Sequence, residues 1–246
     1  CALAVPDPAS ETGWSPLSGD QIGSLLGEFL AERGMTGSLA NSIVSSRLLS
    51  RIARAHGLEH HTTLTGFKWI ARAPGLGFGY EEAIGFCPDP AHVRDKDGIA
   101  TSVVAASLVA ALKAQGRSVW DELERLARLH GLHVSSPLTF RVEEIEQIAS
   151  GMARLRAQPP SVLAGSPVVE VSDLSQGYRG LPPTDGVLVL TEAGDRVIAR
   201  PSGTEPKLKC YLEVILPVAE GEPLPWEQAR ERLDAIKGAF AEIIGL

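Results

Sequence analysis

Arg200-Pro201-Ser202-Gly203-Thr204-Glu205-Pro206-Lys207 packs two cations, two hydroxyls and a glycine into eight positions. That set can cradle a phosphate. The prolines carry no N–H, and Gly203 lets the backbone curl into a nest. The N–H groups of Ser202, Gly203 and Thr204 are then expected to point at a guest. Arg200 offers a planar fork suited to phosphate oxygens, and Lys207 a mobile point charge. An ordinary hairpin turn also uses Pro, Ser and Gly, but it does not call for a cation at either end.

Carboxylates gather elsewhere. Gly79-Tyr80-Glu81-Glu82-Ala83-Ile84-Gly85-Phe86 sets two adjacent glutamates at a strand end between glycines. Successive strand residues face opposite ways, so both reach one ligand only if the backbone has already turned, as the glycines imply. Carboxylates accept paired hydrogen bonds from sugar hydroxyls, which suits a sugar-gripping loop; the plainer use of such a pair is a solvated acidic loop. His92-Val93-Arg94-Asp95-Lys96-Asp97-Gly98 precedes a helix that Asp97 can cap. Lys96 there meets a positive helix end and is costly unless it faces an anion. The further oxygen ligands of a calcium loop are missing, so no metal is expected at these aspartates, and His92 reads as structural. Ser45-Ser46 has no histidine or other base at a suggestive spacing. It reads as a strand end and helix cap rather than a nucleophile.

The elements that must position these groups follow from hydrophobic spacing. Cys1–Val5 is strand-like and ends at Pro6, Trp14–Asp20 is a loop, and Ser18 or Asp20 caps a helix through Ile22, Leu25, Leu26, Phe29 and Leu30 that stops at Gly34. From Ala40 an α/β alternation sets in. Strands are expected at Ser42–Ser45, Glu59–Thr63 and Gly75–Gly79. Helices are expected at Arg47–His56, from Thr65, at Ile99–Ala114 and at Val119–His130. The last part reads as an α+β domain with an antiparallel sheet. It has an extended stretch at Leu138–Phe140, a helix through Val142 to Leu155, strands at Val168–Val171, Gly186–Leu190, Arg196–Ala199 and Leu208–Leu216, and a terminal helix over Trp226–Ile244.

A length of 246 residues allows one large domain or two modest ones. The net charge of -7 argues against nucleic acid or an acidic membrane surface as the main partner. Cys1, Cys87 and Cys210 form no disulfide or metal framework and fit a reducing, cytoplasmic setting. No apolar run reaches the roughly 18–20 residues of a membrane span, and no signal peptide is expected. Because the chain opens at Cys1 inside an apolar strand, it reads as a piece of something longer.

The Arg200–Lys207 run, continued by Leu-Lys-Cys-Tyr-Leu-Glu-Val, resembles the phosphate-binding loop of the α-D-phosphohexomutases. That superfamily includes phosphoglucomutases, phosphomannomutases and related phosphopentose enzymes. Gly79–Phe86 is similar to the family's sugar-binding loop, and Thr65–Ile70 and Lys96-Asp97-Gly98 match in the family's order. The resemblance implies that Glu81, with Glu82 beside it, grips sugar hydroxyls, and that Lys96 faces the reacting phosphoryl group. It further implies that Lys68 reaches the cleft, and that Arg200, Ser202, Gly203, Thr204 and Lys207 hold the distal phosphate. Hexose-phosphate members commonly carry Ser where this chain has Ala83. The form found here is closer to phosphoglucomutases and phosphopentomutases of the second type, which tilts the expectation towards a glucose or pentose phosphate.

The family fold has four domains around a cleft. Residues 1–39 would be the trailing part of domain two, 40–134 the α/β sugar-binding domain three, and 135–246 the α+β phosphate-binding domain four. In the family a phosphoserine on domain one gives its phosphoryl group to a sugar hydroxyl. The resulting bisphosphate, which also serves as activator, turns over before the second transfer returns a phosphoryl group to the serine. Magnesium, held by an acidic loop on domain two, stabilises the moving charge. Neither the serine nor the metal ligands match a stretch of this chain. The resemblance therefore implies the C-terminal half of a phosphosugar mutase, an isomerase of carbohydrate metabolism that is inactive alone and has an N-terminal half as partner. The alternatives are a non-catalytic sugar-phosphate-binding fragment and a phosphopentomutase-type enzyme.

Overall fold

The computed structural model describes residues 1–202 and 205–245, which divide into two units, Cys1–His130 and Gly131–Leu246. The first unit opens with a ribbon of β1 (Ala4–Pro6) and β2 (Trp14–Pro16), followed by α1 (Gly19–Glu32). Then come β3 (Ser38–Ser42), α2 (Leu48–Ala55), β4 (His60–Thr63), α3 (Phe67–Ile70), β5 (Leu76–Glu81), β6 (Gly85–Cys87), α4 (Gly98–Ala114) and α5 (Val119–His130). The sheet order is β4-β3-β5-β6, with β3 parallel to both β4 and β5 and with β6 antiparallel to β5.

Alternation along the strands gives this sheet a buried layer on either face. Leu39, Phe78, Tyr80 and Phe86 join the core of α1, α2, α4 and α5, while Ala40 and Cys87 pack with Phe67 and Ile70 of α3. A capping box starts α1: the Gln21 N–H donates to Ser18 Oγ (3.2 Å) and the Ser18 N–H to Gln21 Oε1 (2.9 Å). Gly23 then lets the helix lie directly on β5, because a Cβ there would stand 2.4 Å from the Tyr80 ring. Buried Asp20 fastens the same corner, accepting hydrogen bonds from the Tyr80 hydroxyl (3.0 Å) and the Ser46 N–H (2.7 Å). The helix read from Ile22 onward is thus part of this unit's own core.

The second unit contains β7 (Leu132–Arg141), α6 (Ile145–Ala157), β8 (Val162–Leu163), β9 (Ser166–Asp173) and a single 3-10 turn at Leu174–Gln176. It continues with β10 (Val187–Thr191), β11 (Arg196–Pro201), β12 (Lys207–Leu216) and α7 (Trp226–Ile244). All neighbours in the order β7-β12-β11-β10-β9-β8 are antiparallel. Leu208, Cys210, Leu212, Val214 and Leu216 of β12 are buried on the face that meets α6 and α7, whose Met152, Leu155, Leu233, Ile236 and Phe240 are buried as well. Burial pushes the Cys210 thiol up to about 12, as expected of a packing residue. Asp195, fully buried, is held bidentately by Arg232 of α7, which ties the β10–β11 turn to the helix layer.

Several strands depart from the sequence reading. The strand expected at Ser42–Ser45 lies at Ser38–Ser42, and Ser45 sits in the following turn. β6 and β2 form where the sequence pattern indicates loop, and β7 extends across ten residues, beyond the Leu138–Phe140 that the pattern marks as extended. Among the described residues no single helix is long and apolar enough to cross a membrane.

Candidate functional site

In the first unit the site residues sit on the β5–β6 hairpin and on the turn before α4. Glu81 closes β5 opposite Gly85 of β6. The tip is supported from below, since a Cβ on Gly19, the first residue of α1, would stand 2.1 Å from the Glu82 carbonyl oxygen. Ile84 has a φ of 56°, a left-handed conformation that costs a β-branched residue about 1–3 kcal/mol, so the tip stores strain that its surroundings must hold.

Gly85 forms a floor on which two groups meet. A Cβ there would lie 2.8 Å from both Glu81 Oε1 and Lys96 Cδ, so only glycine leaves room for the carboxylate and the lysine stem together. Burial raises the Glu81 carboxyl above its ordinary value. The Lys96 charge opposes that rise, and Glu82 and Asp95 add to it. The Lys96 ammonium lies 5.1 Å from the Phe67 ring centre and 3.2 Å from Asp95 Oδ1. Asp97 caps α4, accepting from the Ile99 and Ala100 N–H groups at 3.0 and 2.9 Å, as the sequence indicated. Lys96 and Lys68 border one cavity of about 590 Å³ together with Phe67, Arg72, Arg94 and Asp95. Exposed His92 is bound to Asp89 at 2.7 Å.

Glu82 departs from the expectation. Its Oε2 accepts from the Ser42 and Ser45 hydroxyls, each at 3.0 Å, and its N–H donates to Ser45 Oγ. The alternation of strand side chains persists to the hairpin tip, so Glu81 turns to Lys96 while Glu82 turns back onto the end of β3. Glu82 therefore braces the loop from inside, and Ser45 serves as one of its anchors.

In the second unit Arg200, next to last in β11, lies opposite Lys209 of β12, which in turn pairs with Thr139 of β7; Lys207 pairs with Arg141. Register and pleat place all five on one face of the sheet. The Lys207 ammonium touches the Glu205 carboxylate. That carboxyl is held below its ordinary value by the Lys207 hydrogen bond and charge, and further by Arg141 and Lys209. One expectation is corrected: the Ser202 N–H donates to the Lys207 carbonyl at 2.9 Å, closing the hairpin instead of facing a guest. Gly203 and Thr204 lie outside the described residues.

Lys209, Arg141, Arg72 and Arg94 stand at these sites without belonging to the candidate set that the sequence motifs single out. For Lys209 the signal was present, since Lys207-x-Lys209 on a strand must share a face. Arg141 needed the β7–β12 register, and Arg72 and Arg94 needed the α3 turn folded against the turn before α4.

A magnesium ion, which the family resemblance implies, has no fitting ligand set among the described residues. Glu28, Glu32 and Glu122 bring carboxylates within 4.8 Å of one another, but the Arg125 guanidinium binds all three, at 2.6, 3.1 and 2.6 Å, and fills the place a cation would take.

Comparison with known proteins gives concordant results. The family model described as phosphoglucomutase/phosphomannomutase, alpha/beta/alpha domain III, matches residues 18–129, and the model of the phosphoglucomutase/phosphomannomutase C-terminal domain matches residues 140–224. A Haemophilus influenzae protein named "Probable phosphomannomutase" is 42% identical over 86% of this chain and 43% of its own length. The phosphopentomutase of Mus musculus is 30% identical, with 98% of this chain and 44% of its own length covered. Among solved structures, the open form of the Paramecium phosphoprotein pp63/parafusin, a phosphoglucomutase, superposes with a TM-score of 0.67 at 18% identity. It covers 94% of this chain and 43% of that one, a likeness of fold. The chain spans less than half the length of each of these proteins.

Proposed function

We propose, on the premise that this chain belongs to the phosphoglucomutase/phosphomannomutase superfamily, that it supplies the sugar-gripping and distal-phosphate-binding part of a phosphosugar mutase. Such an enzyme interconverts 1-phospho and 6-phospho sugars through a bisphosphate. The observation that carries this reading is the meeting of Glu81 and Lys96 over Gly85 beside the cavity that Lys68 also borders. A half-buried carboxylate is an acceptor for two vicinal sugar hydroxyls. The ammonium near it opposes the protonation that burial favours and presents a donor to a phosphoryl oxygen. Lys68 adds a second positive charge at the same cavity, where charge on a transferring phosphoryl group must be offset. The loop from Arg200 to Lys207, with Ser202, Gly203 and Thr204 inside it, takes the second phosphate. Its partners Lys209 and Arg141 extend the positive face.

No step is assigned to a metal on this chain, because its described carboxylates do not offer a cation site. The phosphoryl donor and the magnesium ligands belong in this reading to the part of the family architecture that the chain does not match. Phosphoryl transfer rests on positioning and charge stabilisation, so the purified chain turns over no sugar phosphate. A mutase assay with glucose 1-phosphate, Mg²⁺ and glucose 1,6-bisphosphate checks this, and product above background would overturn it. A pentose phosphate is the second reading, favoured by Ala83 in the hairpin tip and by the phosphopentomutase relative. Calorimetric titration with glucose 1-phosphate and ribose 1-phosphate in parallel separates the two sugars.

A further inference from the structure

Among the described residues, three other than glycine have a positive φ: Ile84 (56°), Ala164 (46°) and Arg179 (47°). Two of them have an ordinary reason. Ala164-Gly165 joins the paired residues Leu163 and Ser166, and Arg179-Gly180 joins the bridged residues Tyr178 and Leu181. Both are two-residue hairpin turns, with φ of 77° and 87° at their glycines, and such turns demand a positive φ at each central position. Ile84 is different. It is β-branched, the class of residue that the left-handed region tolerates least. It is also 44% exposed, so apolar burial does not account for its place there.

Ile84 closes a three-residue loop, Glu82-Ala83-Ile84, between the paired residues Glu81 and Gly85. A loop of that length closes with a left-handed residue in its last position, where glycine is the usual choice. Here contacts impose the conformation. The Ile84 carbonyl accepts from the Cys1 nitrogen at 3.2 Å, and the Glu82 N–H donates to Ser45 Oγ. From below, a Cβ on Gly19 would stand 2.1 Å from the Glu82 carbonyl oxygen and 3.0 Å from the Ile84 nitrogen. The register so fixed decides which glutamate meets Lys96. Side chains alternate along a strand, so a slip of one residue would turn Glu82 towards Lys96 and Glu81 onto Ser42 and Ser45.

We propose that Ile84 is a positioning residue for the sugar grip: its stiff left-handed backbone keeps the hairpin tip in the register that points Glu81 at Lys96. This deepens the mutase reading and rests on it for the ligand. Glycine at 84 would meet the same φ without strain. With Gly85 beside it, two residues without side chains would then adjoin, and the tip would sample further arrangements. A β-branched residue has only a narrow left-handed well. Ile84 thus lowers stability but leaves the carboxylate aimed before a sugar arrives, so less ordering is lost on binding.

Ile84→Gly and Ile84→Val, each in the full chain, test this by calorimetric titration with glucose 1-phosphate beside melting curves. The glycine variant is expected to bind about two- to fivefold more weakly, the measure of a glycine's extra backbone freedom, while melting no lower than the parent. Ile84→Val keeps the β-branch and restores the parent affinity. Where Glu81→Gln weakens the same binding, unchanged affinity in Ile84→Gly overturns the positioning role and leaves the mutase reading standing. A loss matched by a lower melting temperature also overturns it, as the mark of a packing residue. A readout without ligand keeps the two readings apart: carbon-13 NMR titration of the Glu81 carboxyl, which burial raises with Lys96, Glu82 and Asp95 around it. In Ile84→Gly that titration is expected to move towards the ordinary carboxylate value. Where Glu81→Gln changes nothing, the sugar assignment falls and this titration decides the positioning role alone, which stands if the midpoint moves and falls if it does not.

Discussion

Glu81 and Glu82 are chain neighbours with opposite surroundings, and their substitutions separate binding from stability. Burial disfavours the charged form of Glu81, so its folded-state pKa lies above its unfolded one despite Lys96. Such a group contributes stability when protonated and loses it as pH rises through the raised pKa. Glu81→Gln mimics the protonated form. The variant should melt higher than the parent at mildly alkaline pH, with the gap closing as pH falls below the ordinary carboxylate value of about 4.3. The same substitution should weaken glucose 1-phosphate binding tenfold or more, as loss of a charged hydrogen-bond acceptor predicts. A lower melting temperature at alkaline pH would contradict the burial argument. Glu82→Ala should behave in reverse. It removes the shared acceptor of the Ser42 and Ser45 hydroxyls, and urea denaturation should register a loss of about 1–3 kcal/mol. No change in the midpoint would mean that the two serines, 2.8 Å apart, satisfy each other.

Elements carry the next prediction, through two glycines in helices. In α1 a Cβ on Gly23 would collide with the buried Tyr80 ring, whose hydroxyl is fixed to Asp20. Gly23→Ala should therefore cost about 1–3 kcal/mol by overpacking. In α7 nothing lies within 4 Å of the Cβ position of Gly238, so Gly238→Ala should add about 0.5–1 kcal/mol through helix propensity and unfolded-chain entropy. Thermal melts of both decide whether packing or propensity governs. Elements also show what the sequence made legible. Helices with long apolar periodicity, Val119–His130 and Trp226–Ile244, are found where the spacing placed them. β7 is obscured because Ser135, Ser136 and Pro137 lower its strand signal, and it is held instead by its pairing along the whole of β12. β3 is displaced from its expected place because Ser38, Ala40 and Asn41 are small or polar; only their burial between two helix layers makes them strand-like. In the site, Lys96, Lys68 and Glu81 could be read from local motifs. The inward turn of Glu82, the arginines of the cavity and the Arg141–Lys207 pair depend on contacts between distant segments that no local pattern encodes.

At the scale of the molecule, an acidic chain of net charge -7 nevertheless sets a group of cations at the candidate site of each unit. The cavity of the first unit holds Lys68, Arg72 and Arg94; the sheet end of the second holds Arg141, Arg200 and Lys209 on one face. Each unit also buries its own apolar layer, and the buried face of β12 is closed by α6 and α7 of the same unit. A unit with a complete core can fold by itself, and every residue proposed for phosphate binding by the loop lies within Gly131–Leu246. The segment 131–246, produced alone, should therefore unfold in one cooperative transition and retain weak phosphate binding that Arg200→Ala abolishes and that falls as salt screens the cations. A broad, non-cooperative melt would show that the antiparallel sheet needs the first unit. Cooperative folding without Arg200-dependent binding would show that the cations on the sheet face do not suffice to hold an anion.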